Sequence, residues 1–344
     1  MEHRKLGKAG LEVGIIGLGT EHLEPGPEVL DRVLGMMTAA GGSYVDLLYI
    51  KPDYWETYGA VYRAHRDKLV AAAHWGDGQR YDLDYCQSCF DGMLAGLGNG
   101  HAEVAMIAVI DTPEVWNGFV QQSIERLRRY QEQGRVGAIG LSGHDIPVAL
   151  EAVRSGLIDV LMFPVNIVAL GGEKDNALYQ ACVEHNVGLV AMKAYHGGIL
   201  FSVDGRPSGI TPTHCLSYVF TLPVAAAVPG PKNVDEMQAT LHYLEATAEE
   251  KDYHAVAVDL PRLLHGKCVY CHHCLPCPVD IPVGWMMWLV DMAARGTVEE
   301  ARPIYESFHT DVSACVECGE CVARCPFGVD IMAGLHKAAA MFCA

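Results

Sequence analysis

The sequence predicts an α/β fold in which a large parallel barrel precedes a smaller, α-helical domain. Short apolar runs alternate with helical segments over residues 11–240, and the last quarter of the chain holds eight cysteines in two tight runs. With 344 residues, half of them hydrophobic, the chain can bury one core of about 250 residues and carry an appendage. We assign residues 1–245 to the barrel, 246–262 to a linker and 263–344 to the second domain.

The barrel prediction rests on eight apolar segments separated by amphipathic segments such as SIERLRRYQEQG. Alternation of strands with helices is typical of a parallel sheet. Eight such units within about 230 residues fit a closed (β/α)8 barrel, or TIM barrel, better than an open sheet. The predicted strands are VGIIGLG, SYVDLLY, KLVAAAHW, AEVAMIAVI, VGAIGLSG, IDVLMFPVN, VGLVAMKAY and VAAAVPG.

Charge and hydropathy argue against two classes of partner. The 42 acidic and 25 basic residues give a net charge of −17, which is unsuited to binding a nucleic-acid backbone. The first ten residues, MEHRKLGKAG, lack the apolar stretch of a signal peptide. No apolar run approaches the roughly 18 residues that a membrane span needs. We therefore expect a soluble, cytoplasmic protein that acts on a small molecule.

The cysteine runs indicate metal binding. The chain has 13 cysteines, and in a reducing compartment closely spaced cysteines bind metals more often than they form disulfides. The second run, CVECGECVARCP, has the spacing C-x2-C-x2-C-x3-C-P of proteins with two [4Fe–4S] clusters, where the fourth cysteine binds the other cluster. The first run, CVYCHHCLPCP, is one residue shorter before its last cysteine.

We assign to each of two [4Fe–4S] clusters three cysteines of one run and one of the other. One set is Cys268, Cys271, Cys274 and Cys325, and the other is Cys315, Cys318, Cys321 and Cys277. A pair of zinc sites is the alternative, because C-x2-C pairs also bind zinc. The adjacent His272 and His273 are expected at the surface rather than as ligands. The segment between the runs predicts two helices that break at Gly296.

The carboxyl ends of barrel strands, where such folds carry their chemistry, are rich in titratable side chains. Asp46 and His74 are candidates for an acid–base pair, since histidine titrates near neutral pH. Lys51 or Lys193 could stabilise a developing anion. Acids, bases and cations gathered on one rim indicate an active site. The rim residues are Glu21, His22, Asp46, Tyr49, Lys51, His74, Asp111, Ser142, His144, Asn166, Lys193, Tyr195, His196 and Lys232.

With these motifs the chain resembles the aldo-keto reductases, in particular the branch with a carboxyl-terminal ferredoxin-like domain. RKLGKAGLEVGIIGLGT is similar to the amino-terminal hairpin and first strand of the family, and GRVGAIGLSGH to its fifth strand. IDVLMFPVN is similar to its sixth strand, and VPGPKNVDEMQATL to its cofactor-phosphate loop. The resemblance covers nearly the whole chain and implies a (β/α)8 barrel with NADPH-dependent carbonyl reduction.

The resemblance also implies a tetrad of Asp, Tyr, Lys and His, in which Tyr gives a proton to the carbonyl and NADPH gives hydride. Only the acid is kept, as Asp46. The same register puts Lys51 in place of the tyrosine, His74 in place of the lysine and Ala108 in place of the histidine. Carbonyl reduction therefore lacks its tuned proton donor. The nearby hydroxyl groups are those of Tyr49 and Tyr54.

Several of the cofactor contacts that the family implies are missing at the nicotinamide end. Ser142 is present, but the neighbouring Asn is Gly143. The Gln that holds the nicotinamide amide is Met162, and the stacking aromatic is Met192. Lys232, in GPKN, could meet a 2′-phosphate. The candidate cofactor-binding residues are Ser142, Lys193, Gly230, Lys232 and Asn233.

Three functions remain open at this point. The leading one is an iron–sulfur oxidoreductase, whose clusters take electrons from a ferredoxin-like donor and pass them to a small organic substrate at the barrel mouth. The second is an NADPH-dependent aldo-keto reductase with a rearranged tetrad and structural clusters. The third is a non-redox lyase or binding barrel whose clusters serve stability or docking. NADPH stays open as a mediator, and so does a flavin, although the sequence holds no flavin motif.

Overall fold

The computed structural model describes residues 1–48, 52–77, 81–169, 173–203, 205–306, 308 and 310–343. The chain divides into two compact units. The first comprises Met1–Ile167, Glu173–Leu200 and Ile210–Tyr253. The second consists mainly of the chain from His254 onward, with two short segments that begin at Val168 and Phe201.

Eight parallel strands form one sheet in the first unit, and each overlaps one of the predicted apolar segments. The sheet has the order β12-β9-β8-β7-β6-β5-β4-β3. Ile16 pairs with Ala227 in parallel, which joins the two ends of the sheet and confirms the predicted (β/α)8 barrel. The strands are β1 His3–Lys5, β2 Glu12–Gly14, β3 Leu18–Gly19, β4 Tyr44–Leu47, β5 Val70–Asp77, β6 Ala102–Ala108, β7 Val136–Ser142, β8 Val160–Pro164, β9 Gly188–Met192, β10 Ser202–Val203, β11 Arg206–Pro207 and β12 Val224–Ala227.

Several helices of this unit begin at a polar side chain that caps the first turn. The side chain of Asp145 accepts a hydrogen bond from the Val148 amide at the start of α6, and this fixes the loop after β7. A π-helical turn, Trp116–Val120, joins α4 to α5. The helices are α1 Pro27–Ala39, α2 Pro52–His65, α3 Leu83–Gly96, α4 Pro113–Val115, α5 Gln121–Glu132, α6 Ile146–Arg154, α7 Glu173–Glu184, α8 Pro212–Val219 and α9 Val234–Leu241.

The barrel interior is a packed apolar core rather than a channel. Met106 and Met162 belong to it, and Leu6 and Val13 of the amino-terminal hairpin join the same cluster. Gly140 makes room for this packing, because a Cβ there would collide with Sδ of Met106. A filled interior holds the strands rigidly and leaves the strand ends to carry polar groups.

The second unit is made of short helices. α11 and α12 are separated at Gly296, which confirms the predicted break. α10 lies largely in the residues that the sequence assigns to the linker. Among the residues that the structure describes, no helix is long and apolar enough to cross a membrane. The helices are α10 His254–Leu263, α11 Val283–Arg295, α12 Val298–Glu306, α13 Glu320–Arg324 and α14 Ile331–Phe342.

Candidate functional site

Asp46 on β4 and His74 on the adjacent β5 lie together inside the barrel. Nε2 of His74 donates to Oδ1 of Asp46 over 2.7 Å, and the two residues are only 2% and 9% exposed, respectively. Oγ1 of Thr20 donates to the main-chain carbonyl of Asp46 over 2.8 Å. With the hydrogen on Nε2, Nδ1 of His74 is an acceptor, and among the described residues it has no hydrogen-bond partner. The pair can hold a proton in a fixed position away from solvent.

The remaining predicted catalytic residues are Tyr49, Lys51 and Tyr54. Tyr49 and Lys51 lie outside the described residues. Tyr54 is on α2, where its hydroxyl oxygen is 2.8 Å from that of Tyr62. Its ring stacks on Tyr58 with 4.5 Å between the centroids. These contacts make Tyr54 part of an aromatic cluster on the helix.

A second carboxylate–histidine pair, which the sequence did not single out, lies just beyond β6 and β7. Nδ1 of His144 donates to Oδ2 of Asp111 over 2.9 Å, and the main-chain amides of His144 and Asp145 donate to Oδ1. On the other side of the imidazole, Nζ of Lys193 is 2.7 Å from Nε2. We call Asp111, His144 and Lys193 the rim relay. The sequence placed all three on the rim, but nothing in their spacing indicated that they touch.

The electrostatics of the rim relay follow from its uneven burial. Burial by itself would raise the pKa of Asp111, but the charge of His144 and the hydrogen bonds from His144 and Asp145 outweigh it and lower that pKa. Asp111 therefore stays ionised. Desolvation lowers the pKa of Lys193, against the opposing charges of Glu21 and Asp111. Lys193 is nevertheless exposed. Its amine is therefore partly desolvated by neighbouring groups but still accessible to solvent.

Backbone conformation helps to build the rim relay. Val109 and Lys193 have φ angles of 56° and 55°, in the left-handed region that few residues other than glycine adopt. Such conformations persist where the surroundings enforce them, often at functional sites. At Gly143 a Cβ would collide with the carbonyl of Ile110 and come within 3.2 Å of Oδ1 of Asp111. The resemblance implies Asn at this position. Glycine, which has no side chain, leaves room there for the carboxylate of Asp111.

The predicted phosphate loop, residues 230–233, is occupied by the chain's own carboxylates. The Lys232 amide donates to Oε2 of Glu236 over 2.8 Å. Asn233 caps α9 by accepting from the Glu236 amide over 3.1 Å, and its Nδ2 donates to Oε1 of Glu24 over 2.9 Å. The positive end of the helix dipole already has an anion beside it. Gly230 is the first residue of this loop, and a Cβ there would lie 3.6 Å from the His22 ring.

Two of the residues predicted at the nicotinamide end of the cofactor site are methionines that pack with the barrel core. Met162 is buried in the barrel core, and Met192 packs against the same cluster. Oγ of Ser142 accepts from the Val109 amide over 3.2 Å. Ser142 therefore shapes the rim next to the relay.

In the second unit the eight cysteines of the two runs line two cavities. One cavity is lined by Cys268, Cys271, Cys274 and Cys325. The other is lined by Cys277, Cys315, Cys318 and Cys321. We call them the first and second cysteine cavities. Each brings together three cysteines of one run and the last cysteine of the other.

The donors in these cavities do not converge on one point. Among the described residues, no three His, Cys, Asp or Glu side chains are close enough to hold a single metal ion. Burial raises the pKa of both Cys268 and Cys274 to about 12. His272 and His273 line the first cavity and are half-buried. That they lie at the surface and are not ligands stays a prediction.

The two cavities differ in the charge beside them. Arg324 lines the second cavity and donates from Nη2 to the carbonyls of Cys274 and Pro276. Its Nε is buried and has no hydrogen-bond partner among the described residues. Beside the first cavity, the hydroxyl group of Tyr270 donates to Oδ2 of Asp291 over 2.5 Å. A guanidinium, which also pairs with Oε2 of Glu320 over 3.0 Å, thus stands at one cavity, and a carboxylate stands near the other.

Fold and rim together define an enzyme of the (β/α)8 class with titratable groups at its strand ends. A family model described as aldo/keto reductase family matches residues 16–214, more than half of the chain. The chain belongs to the aldo/keto reductase family and has an oxidoreductase fold of that type. The match ends before the loop at residues 230–233. A search of curated proteins gave no match.

Solved structures agree on the fold. The holo form of aldo-keto reductase AKR11C1 from Bacillus halodurans is 18% identical with a TM-score of 0.61, covering 75% of this chain and 96% of that one. The protein PA4992 from Pseudomonas aeruginosa is 22% identical with a TM-score of 0.56, covering 70% and 96%. The thermostable aldo-keto reductase Tm1743, in complex with the inhibitor epalrestat, is 18% identical with a TM-score of 0.58, covering 75% and 100%. Each alignment spans nearly all of the known structure and leaves part of this chain uncovered.

Proposed function

We propose that the protein is an iron–sulfur oxidoreductase, in which two [4Fe–4S] clusters of the second unit carry electrons for reduction of a small organic substrate at the barrel rim. The grouping of the cysteines carries this proposal. Each cysteine cavity is lined by three cysteines of one run and the final cysteine of the other. The same exchange of the fourth ligand occurs in two-cluster ferredoxins.

The spacing of the cysteines favours clusters over zinc. Each run carries three cysteines in the form C-x2-C-x2-C and ends in Cys-Pro, which is close to the pattern of proteins with two [4Fe–4S] clusters. Pairs of the form C-x2-C also bind zinc, and metal analysis distinguishes the two.

The clusters, when bound, supply single electrons, for which a ferredoxin-like protein is the proposed donor. The chain's own residues supply protons and charge. Nε2 of His74 holds a proton against Asp46, and the Lys193 ammonium group stands at the rim, where it can stabilise a developing anion. These groups take over part of the role for which the family uses its tyrosine.

Family membership makes NADPH the alternative source of electrons, but the loop residues fit its 2′-phosphate poorly. Glu236 accepts from the Lys232 amide, and Glu24 accepts from Asn233. A phosphate would have to displace both carboxylates or bear their repulsion. We expect little NADPH binding.

Metal analysis of anaerobically purified protein tests the proposal. Two clusters require about eight iron and eight sulfide per chain, a visible band that dithionite bleaches, and an EPR signal after reduction. The mass of any cofactor released by denaturation, together with NADPH fluorescence, tests the alternative. Zinc in place of iron, or a band that dithionite leaves unchanged, contradicts the proposal.

Matched cysteine variants test the exchange of ligands. Cys325→Ser should change the EPR signal of the cluster in the first cavity, and Cys277→Ser that of the cluster in the second. Cys343→Ser is the control, because Cys343 is an exposed cysteine of the same unit that lines neither cavity. If Cys325→Ser and Cys277→Ser altered the same signal, the grouping would be wrong.

A further inference from the structure

The amine of Lys193 ends a chain of hydrogen bonds with the connectivity that activates a nucleophile. Asp111 accepts from Nδ1 of His144, which fixes the tautomer and leaves the lone pair of Nε2 facing Nζ of Lys193 at 2.7 Å. A carboxylate that orients an imidazole, which takes a proton from the attacking group, is the arrangement of the Ser-His-Asp triad. In the rim relay an amine stands where the triad has a hydroxyl group.

Access and ionisation both suit this role. Asp111 is buried, His144 is half-buried and Lys193 is exposed, so a small molecule at the rim can reach the amine while the base stays shielded. Desolvation lowers the pKa of Lys193, although Glu21 and Asp111 act in the opposite direction. A lower pKa increases the fraction of uncharged amine at neutral pH. The left-handed turn at Lys193, with φ of 55°, follows directly after β9.

We propose that Lys193 is a nucleophile that forms a Schiff base with a small aldehyde or ketone. Its ammonium group gives one proton to Nε2 of His144, and the free amine attacks the carbonyl carbon. A C–N bond forms and the carbonyl π electrons move to oxygen, which takes a proton from the nitrogen. His144 returns its proton to the resulting hydroxyl group, which leaves as water, and the nitrogen lone pair completes the protonated imine. The step consumes no oxidant or reductant, and it is independent of the clusters.

Reductive trapping on the purified full-length protein tests this inference. The protein is treated with acetaldehyde and cyanoborohydride at pH 7, and modified lysines are quantified by peptide mass spectrometry. Lys68 is an exposed lysine of the same unit and serves as the internal reference. We expect Lys193 to react roughly a hundredfold faster than Lys68, the low end of what a positioned base contributes. This comparison is made within the wild-type protein and does not depend on the folding of a variant.

Two variants separate activation by His144 from exposure alone. His144→Asn keeps Lys193 but should slow its trapping roughly a hundredfold, whereas Lys68→Arg should leave it unchanged. Equal rates at Lys193 and Lys68 would overturn the proposal, and so would a His144→Asn variant that traps acetaldehyde as fast as the wild type.

Discussion

The barrel and the cysteine-rich unit hold their functional side chains in different ways. In the barrel, Asp46 and His74 stand on neighbouring strands above a packed core and bind each other. In the second unit most of the cysteines stand on loops that contain left-handed residues such as Tyr270, His272 and Glu317, between short helices. The barrel site is built by contacts between the chain's own residues. The cysteine cavities, in contrast, bring together groups that gain little from one another unless the proposed iron is bound.

Removal of the proposed iron should distinguish the stability of the two units most strongly. A bound structural metal contributes on the order of 10 kcal/mol to folding, about as much as the whole stability of a small domain. Anaerobic chelation should therefore unfold the second unit and leave the barrel folded. Limited proteolysis with mass spectrometry should find new cleavage within residues 254–343 and continued protection of residues 1–245. If both units were equally protected from proteolysis before and after chelation, the expected difference in their dependence on metal would be wrong.

Breaking the buried pair in the barrel should have the next largest effect. Asp46→Ala leaves a buried imidazole without its partner, and we expect a loss of about 3 kcal/mol in the free energy of unfolding. Urea unfolding followed by the fluorescence of the buried Trp75 measures it. Glu125→Ala is the control: it breaks an exposed pair with Arg129 over 3.2 Å and should change stability by no more than about 0.5 kcal/mol. A loss for Asp46→Ala as small as that of the control would mean that the pair does not hold the barrel site.

Charge should distinguish the two cysteine cavities from each other, given the proposed clusters. A cation stabilises the reduced, more negative state of a cluster, so Arg324→Gln should lower the potential of the cluster in the second cavity more than that of the cluster in the first. We expect the equilibrium constant for reduction of this cluster to fall about tenfold, which corresponds to a decrease of about 59 mV in the potential of a one-electron couple. Arg324→Lys should give a smaller shift.

EPR-monitored redox titration measures both potentials. Arg302→Gln is the control, because Arg302 also donates to main-chain carbonyls of the second unit, those of Met341 and Phe342, and lines neither cavity. Equal shifts of both potentials in Arg324→Gln would contradict the assignment of Arg324 to the second cavity.

The smallest expected effect is a pH-dependent change in the stability of the barrel. The pKa of Asp111 is lowered in the folded protein, so its contribution to stability is complete above the unfolded value of about 3.9 and is lost as pH falls through the lower folded value. Asp111→Asn should cost on the order of 1 kcal/mol near pH 7. The difference from wild type should shrink below about pH 4. Urea unfolding at a series of pH values measures it, and a pH-independent difference would show that the charge of Asp111 has no part in it.

Local pattern was enough to predict the barrel strands and the break between two helices of the second unit. Each barrel strand overlaps a predicted apolar segment, and the helices α11 and α12 part at Gly296. Hydrophobic periodicity indicates strands and helices, and glycine indicates where a helix ends. Both signals extend over only a few residues and can therefore be recognised in the sequence. The closeness of Asp46 and His74 was also foreseeable, because consecutive strands of a parallel barrel are neighbours.

The rim relay was not foreseeable in the same way. Its members follow three different strands, and their contact depends on the left-handed turn at Lys193 and on the space beside Gly143. Loop conformation of this kind is set by packing rather than by local preference. The position of His272 and His273 at the first cavity depended on the fold of the cysteine loop in the same way.

By itself the sequence determined the alternation of strands and helices, the family and the two runs of cysteine, because each is written in composition and short-range spacing. Only the tertiary structure decided which polar groups touch: Lys193 with His144, Glu236 with the Lys232 amide, and Arg324 with the second cavity. The reason is geometric. A hydrogen bond forms or fails over a few tenths of an ångström, and such distances between remote residues are fixed only when the whole chain has packed.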